Sequence, residues 1–148
     1  MLKPIILLAF VSALGFAAEK KAVTPPGTQP NRPFSPGILY GDTLYVSGMV
    51  GRDPSGNMPE KFEDEVKQTL ENIGVVLKEA GYSFDDAVAV QVYLTDMTLF
   101  DRMNSVYMTY FKEPRPTRTT VGVAKLVGTA KIEITVTARA GRAAGKKK

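Results

Sequence analysis

Residues 62 to 80 constrain this chain more than any other stretch. Phe62, Val66, Leu70, Ile73, Leu77 and Ala80 recur at intervals of three and four, so a helix would gather them into one apolar stripe and leave Glu63, Lys67, Glu71 and Lys78 in water. Such a stripe needs a flat apolar partner. Period-two runs supply one: Val88, Val90, Val92 and Leu94, with Gln91 and Tyr93 on the opposite side, and Ile132, Ile134 and Val136, with Glu133 and Thr135 opposite. Gly81 is placed to stop the helix, and Asn57 with Glu60 to cap its start.

The remaining elements follow from turn chemistry. Ile38-Leu39-Tyr40 and Thr43-Leu44-Tyr45-Val46-Ser47-Gly48, joined at Gly41-Asp42, read as two strands and a tight turn, and Asp53-Pro54-Ser55-Gly56 as a type I turn. Thr98 with Asp101 starts a second helix that carries Phe100, Met103, Tyr107 and Phe111 inward until Pro114 and Pro116 end it. The strands beginning at Thr117 and Lys131, connected by Leu126-Val127-Gly128-Thr129-Ala130, read as a hairpin. The predicted order is ββαβαββ, a single α+β domain with a mixed sheet and two helices on one face. The other face is expected to carry Arg118, Thr120, Glu133 and Thr135 with Tyr45 or Tyr93, and a sheet face left partly apolar in this way meets a partner.

The chain has 148 residues, one domain's worth, without cysteine or histidine, so thiol redox chemistry, imidazole catalysis and the usual zinc ligands are excluded. Met1-Leu2-Lys3, the apolar run Ile5 to Phe16 and the small residues in Gly15-Phe16-Ala17 read as a signal peptide over 1–17, giving an exported protein, periplasmic or secreted, that starts at Ala18. The run is too short to span a bilayer, so cleavage leaves no transmembrane anchor. Residues 18–31, rich in proline, read as a flexible tether, 32–140 as the folded domain and 141–148 as a basic disordered tail. Losing Lys3 lowers the net charge from +4 to +3, and no run interleaves aromatic with basic residues, so nucleic acid is not an expected partner.

Arg118 and Glu133 stand out as a charged pair set in strands. Two readings are open: a cross-strand ion pair, worth a few tenths to about 1 kcal/mol, or a guanidinium that grips a carboxylate with two hydrogen bonds beside a carboxylate base.

Pro116-Thr117-Arg118-Thr119-Thr120-Val121 and Lys131-Ile132-Glu133-Ile134 resemble the C-terminal signature of the RidA/YjgF family of imine and enamine deaminases. The likeness continues upstream, in the family's order, through Tyr45-Val46-Ser47-Gly48, Asp53-Pro54-Ser55-Gly56, Leu70-Glu71-Asn72-Ile73, Leu77-Lys78-Glu79-Ala80-Gly81, Tyr93-Leu94-Thr95-Asp96-Met97 and Asn104-Ser105-Val106-Tyr107. It implies a YjgF/chorismate mutase-like fold and a homotrimer with a central barrel and clefts between subunits, with no cofactor and no metal. By the same resemblance Arg118 binds the substrate carboxylate, Glu133 positions or activates the attacking water, Ser47 and Gly48 lie at the cleft, and Asn104 lines it. Phe34 stands where the deaminases usually carry Tyr, and Thr120 where many carry Cys; both are candidate cleft residues, and Phe34 brings no hydroxyl. Val127 replaces a common Pro after Leu126.

The implied activity is hydrolysis of small 2-imino acids, such as those derived from 2-aminoacrylate, to 2-keto acids and ammonia. Two alternatives stand beside it: a non-catalytic acid-binding or holdase-like trimer, and RNA cleavage, which family members also show.

Overall fold

A computed structural model of the protein describes residues 19–141. The leader expected at 1–17 and, beyond Gly141, the expected basic tail lie outside the described residues. The apolar stripe forms α1, Phe62–Glu79, with Phe62, Val66, Leu70, Ile73, Val76 and Leu77 each no more than 3% exposed. Each such side chain contributes roughly 1.5 to 3 kcal/mol through burial. The helix ends as its sequence requires: Gly81 adopts φ +79°, and the Tyr82 N–H donates to the Leu77 carbonyl at 2.8 Å.

Its start differs from expectation. Lys61 occupies the cap position and makes no side-chain cap bond, while Asn57 belongs to the preceding turn, its backbone N–H donating to Asp53 Oδ1 at 2.8 Å. Glu63, Asp64 and Glu65 in the first turn complement the helix dipole instead. Of these, Glu65 is 1% exposed and accepts the backbone N–H of Lys131 at 2.6 Å, which pins α1 to the start of the last strand.

Six strands form one mixed sheet: β1 Lys20–Val23, β2 Gly37–Tyr40, β3 Thr43–Met49, β4 Ala87–Leu94, β5 Thr117–Gly122 and β6 Ile132–Arg139. Their order across the sheet is β1-β2-β3-β6-β4-β5, and every pair is antiparallel except β4 with β5. The second helix, α2 Phe100–Tyr110, connects that parallel pair and packs beside α1. Leu44, Val46, Val90, Val92, Leu94, Ile132, Ile134, Val136 and Ala138 form the sheet's side of the core, all at most 5% exposed. The α+β order is the predicted ββαβαββ preceded by one further strand.

Three expectations are corrected. The predicted β5–β6 hairpin does not form, because β4 lies between them. The strand whose inward side chains are all buried, β6, takes a central place, and β5, with Thr, Arg or Gly at every position but Val121, takes the edge. The supposed tether also contributes structure. Lys20 to Val23 pair with Tyr40 to Gly37, and Val23 is buried in the core. A four-residue strand with one core side chain and two lysines carries little periodic signal, which is how edge strands look. Val88, assigned to the core by alternation, is 45% exposed, since a register irregularity between Ala87 and Ala89 breaks the pattern there.

Candidate functional site

Arg118 lies on the helix side of the sheet. It is paired with Val90, which is paired in turn with Val136, and both valines are buried against the helices. Since β5 is an edge strand, the Arg118 side chain emerges under α2 instead of in the deep core. Its Cζ lies 4.6 Å from the ring centroid of Tyr107 and 5.5 Å from that of Phe100, with Nη1 3.9 Å from Met103 Sδ. It meets no carboxylate within ion-pair distance among the described residues. Two rings thus lie within cation–π distance of the guanidinium, and apart from the Nη1–H on the Met103 sulfur its N–H groups have no protein acceptor among the described residues, which leaves donors for a planar two-pronged grip.

The guanidinium opens onto a groove of about 640 Å³ lined by Asp101, Asn104, Ser105, Tyr107, Met108, Arg115 and Pro116 together with Arg118; the Asp101 carboxylate is not within ion-pair distance of Arg118. Thr120, two residues along the same strand face, has a buried hydroxyl without a hydrogen-bond partner among the described residues, as does Tyr107. Burial pushes the Tyr107 phenol above its ordinary range, partly offset by the charges of Arg118 and Arg115.

Glu133 belongs to a second constellation. Val46 pairs with Val136 but Met49 with Ile134, so β3 carries one extra residue, and Ser47 and Gly48 together face the single residue Thr135 on β6. At this bulge the Ser47 Oγ–H donates to the Ser35 carbonyl at 2.7 Å and its N–H to the Pro36 carbonyl at 2.9 Å, which holds the segment bearing Phe34. Phe34 is 49% exposed, its ring centroid 5.7 Å from Arg32 Cζ. A Cβ on Gly48 would overlap Glu133 Oε1 and stand 2.9 Å from its Cδ, so the carboxylate occupies the space that only glycine leaves. The Glu133 carboxylate has no hydrogen-bond or ion-pair partner among the described residues. Glu133 pairs with Tyr93 and points away from the helices, next to Thr135, whose Oγ–H donates to Gln91 Oε1 at 3.2 Å.

The seven predicted residues therefore fall into two groups. Arg118, Thr120 and Asn104 belong to the groove, and Phe34, Ser47, Gly48 and Glu133 to the bulge. This corrects the expectation that Arg118 and Thr120 share a face with Glu133: within one subunit the sheet separates them, and the cross-strand ion pair does not form. Tyr107, Ser105, Met108 and Arg115 are groove residues that sequence reasoning did not assign. Positions 104/105 and 108 share a helical flank next to the inward stripe of α2, a spacing the sequence displays.

The Endoribonuclease L-PSP family matches residues 26–140. A RutC family protein of Saccharolobus solfataricus is 42% identical over 118 residues, covering 78% of this chain and 94% of the relative. The mouse 2-iminobutanoate/2-iminopropanoate deaminase is 39% identical over 104 residues, covering 69% of this chain and 77% of that protein. Among solved structures, the Rid family protein YyfA of Yersinia pestis superposes with a TM-score of 0.77 at 31% identity, covering 82% of this chain and all of that one.

These relatives also correct the expectation of a signal-peptide-bearing, periplasmic or secreted protein. The relatives similar in sequence include archaeal RutC family proteins and mammalian deaminases, and the family match covers every element of the fold except β1, so the hydrolase reading gains support and the export reading gains none. Lys20 and Lys21, just beyond the expected leader, belong to β1. No helix among the described residues is long and apolar enough to cross a membrane. From residue 26 to residue 140, then, the chain belongs to the Endoribonuclease L-PSP family, the RidA/YjgF proteins its strand motifs resemble.

Proposed function

We propose that the protein hydrolyses small 2-imino acids to 2-keto acids and ammonia, in a site shared between subunits of a homotrimer. The observation that carries this reading is the Arg118 guanidinium, set over the Tyr107 ring, without a carboxylate in ion-pair distance among the described residues, and open to a groove beside Asn104. The name of the 39% identical mouse relative supports the substrate class. Arg118 grips the substrate carboxylate and fixes the imine carbon. Glu133 takes a proton from water as its oxygen adds to that carbon, then returns a proton to the nitrogen. The hydroxyl of this carbinolamine then passes its proton to the nitrogen, the C–N bond breaks, and ammonia leaves as the keto group forms. Because Arg118 and Glu133 occupy opposite faces of one sheet, a complete site needs the groove of one subunit against the bulge of the next.

The test is keto-acid release from enzymatically generated 2-iminopropanoate and 2-iminobutanoate, compared with the buffer rate. Acceleration is expected, and a rate equal to buffer would remove the proposal. The shared site is tested by refolding Arg118→Lys with Glu133→Gln chains together. Mixed trimers regain activity that neither variant has alone if each site draws one residue from each subunit; no recovery would place both residues in the same subunit's site. A non-catalytic acid binder is the second reading, favoured by Phe34, whose exposed ring offers no hydroxyl to order water. It predicts Arg118-dependent carboxylate binding with keto-acid release at the buffer rate.

A further inference from the structure

We infer that Tyr107 is a positioning residue for Arg118, its ring serving as the platform that fixes the plane in which the guanidinium presents its fork. The inference rests on the reading of Arg118 as a carboxylate grip. An arginine on an edge strand, with no carboxylate among the described residues to orient it, is a flexible lever unless something holds its head. The Tyr107 ring lies under that head at 4.6 Å, close enough for a cation–π contact.

The ring is itself held from behind. Tyr107 stacks on Phe111 at 4.3 Å with an interplanar angle of 28°, and Phe111 meets Phe84 edge-on at 5.1 Å and 89°. Phe84 in turn packs where α1 has Gly74, for a Cβ there would lie 3.3 Å from its ring. An aromatic column thus runs from α1 through Phe84, Phe111 and Tyr107 to the groove. Tyr107 is 3% exposed and its hydroxyl has no hydrogen-bond partner among the described residues, so ring packing against Phe111 sets the ring's orientation. The ring, and not the hydroxyl, is the working part.

The full chain is compared with Tyr107→Met, which has similar reach but no flat face, and with Tyr107→Phe, which restores the face without the hydroxyl. With 2-iminopropanoate, Tyr107→Met should raise KM about tenfold while kcat falls much less, and Tyr107→Phe should return KM to within about twofold of the parent. A second readout does not depend on turnover. The Arg118 Nε–H resonance, assigned by its loss in Arg118→Lys, should be shifted by the ring current in the parent and in Tyr107→Phe, and should move towards the position of exposed arginines in Tyr107→Met, where only the more distant Phe100 ring remains. An unshifted Arg118 resonance in the parent overturns the platform even if the Met variant fails to fold. So does an unchanged KM in a folded Tyr107→Met. A shifted resonance in a parent that releases no keto acid overturns the deaminase reading and leaves the platform standing.

Discussion

The groove around Arg118 and the bulge around Glu133 are built by opposite means. On the helix side, side chains fill space: the guanidinium rests on Tyr107 and Phe100, and Tyr107 rests on Phe111. On the other side a side chain is missing, and Glu133 occupies the room that Gly48 leaves. The first half is vulnerable to taking atoms away, the second to adding them. A binding grip gains from a rigid bed, because orientation is its contribution. A carboxylate that must exchange protons with water needs space to approach and withdraw.

The largest effect should come from the grip. Arg118→Lys keeps the charge and loses the planar fork, and kcat/KM for 2-iminopropanoate should fall by about a hundredfold or more, with the melting temperature little changed. Parent-like rates in that variant would break the contrast at its root. Glu133→Gln should lower kcat by roughly tenfold to a hundredfold while binding of the keto-acid product, measured by calorimetry, stays near the parent value; a parallel loss of affinity would mean that the two halves are not divided into grip and base.

Gly48→Ala sharpens the comparison from the other direction. The added methyl pushes the Glu133 carboxylate aside, and since that carboxylate is the far end of a flexible chain, the fold should absorb the change. Turnover should drop by roughly tenfold, with KM nearly unchanged and a melting temperature within a few degrees of the parent. A large loss of stability with normal turnover would show that the glycine serves the bulge and not the carboxylate.

The smallest effect belongs to a pair outside both halves. Arg102 of α2 holds Glu63 of α1 through two hydrogen bonds, at 2.6 and 2.9 Å, and these bonds lower the Glu63 carboxyl from its usual range to about 2. A folded-state pKa below the unfolded one means that the pair's stabilisation is present above the unfolded value of 4.5 and is lost as pH falls towards 2. Melting temperatures of Glu63→Gln should therefore decline less than the parent's across that window, with neutral-pH activity unaltered. Identical acid profiles would show that the pair contributes nothing measurable.

Much of this fold was legible because burial imposes period. The α1 stripe, its stop at Gly81, the Gly41-Asp42 turn and the alternation of β6 are all forced by which side chains must leave water. What one chain's periodicity cannot carry is strand adjacency. Arg118 and Glu133 are fifteen positions apart in sequence and look like hairpin partners, but β5 pairs with β4 through the α2 crossover, and β6 enters between β3 and β4. The clue was compositional. Ile132, Ile134, Val136 and Ala138 demand cover on their inward face, whereas Thr117 to Thr120 suit an edge. Seven candidate side chains were proposed from motifs, whereas Ser105, Tyr107, Met108 and Arg115 were not singled out, and the face that each occupies depends on that order.

The family match begins at Pro26, three residues after β1 ends, and a protein trimmed to that boundary would retain every candidate site residue. It would not retain a quiet surface. Without Lys20 to Val23, the outer rim of β2 presents unpaired N–H and C=O groups beside Ile38 and Leu39, and it sheds the two lysines that now discourage other strands from docking there. A fragment chosen by homology alone should be chemically complete and colloidally poor, adding strands edge to edge from neighbouring molecules at concentrations where the longer chain stays clear.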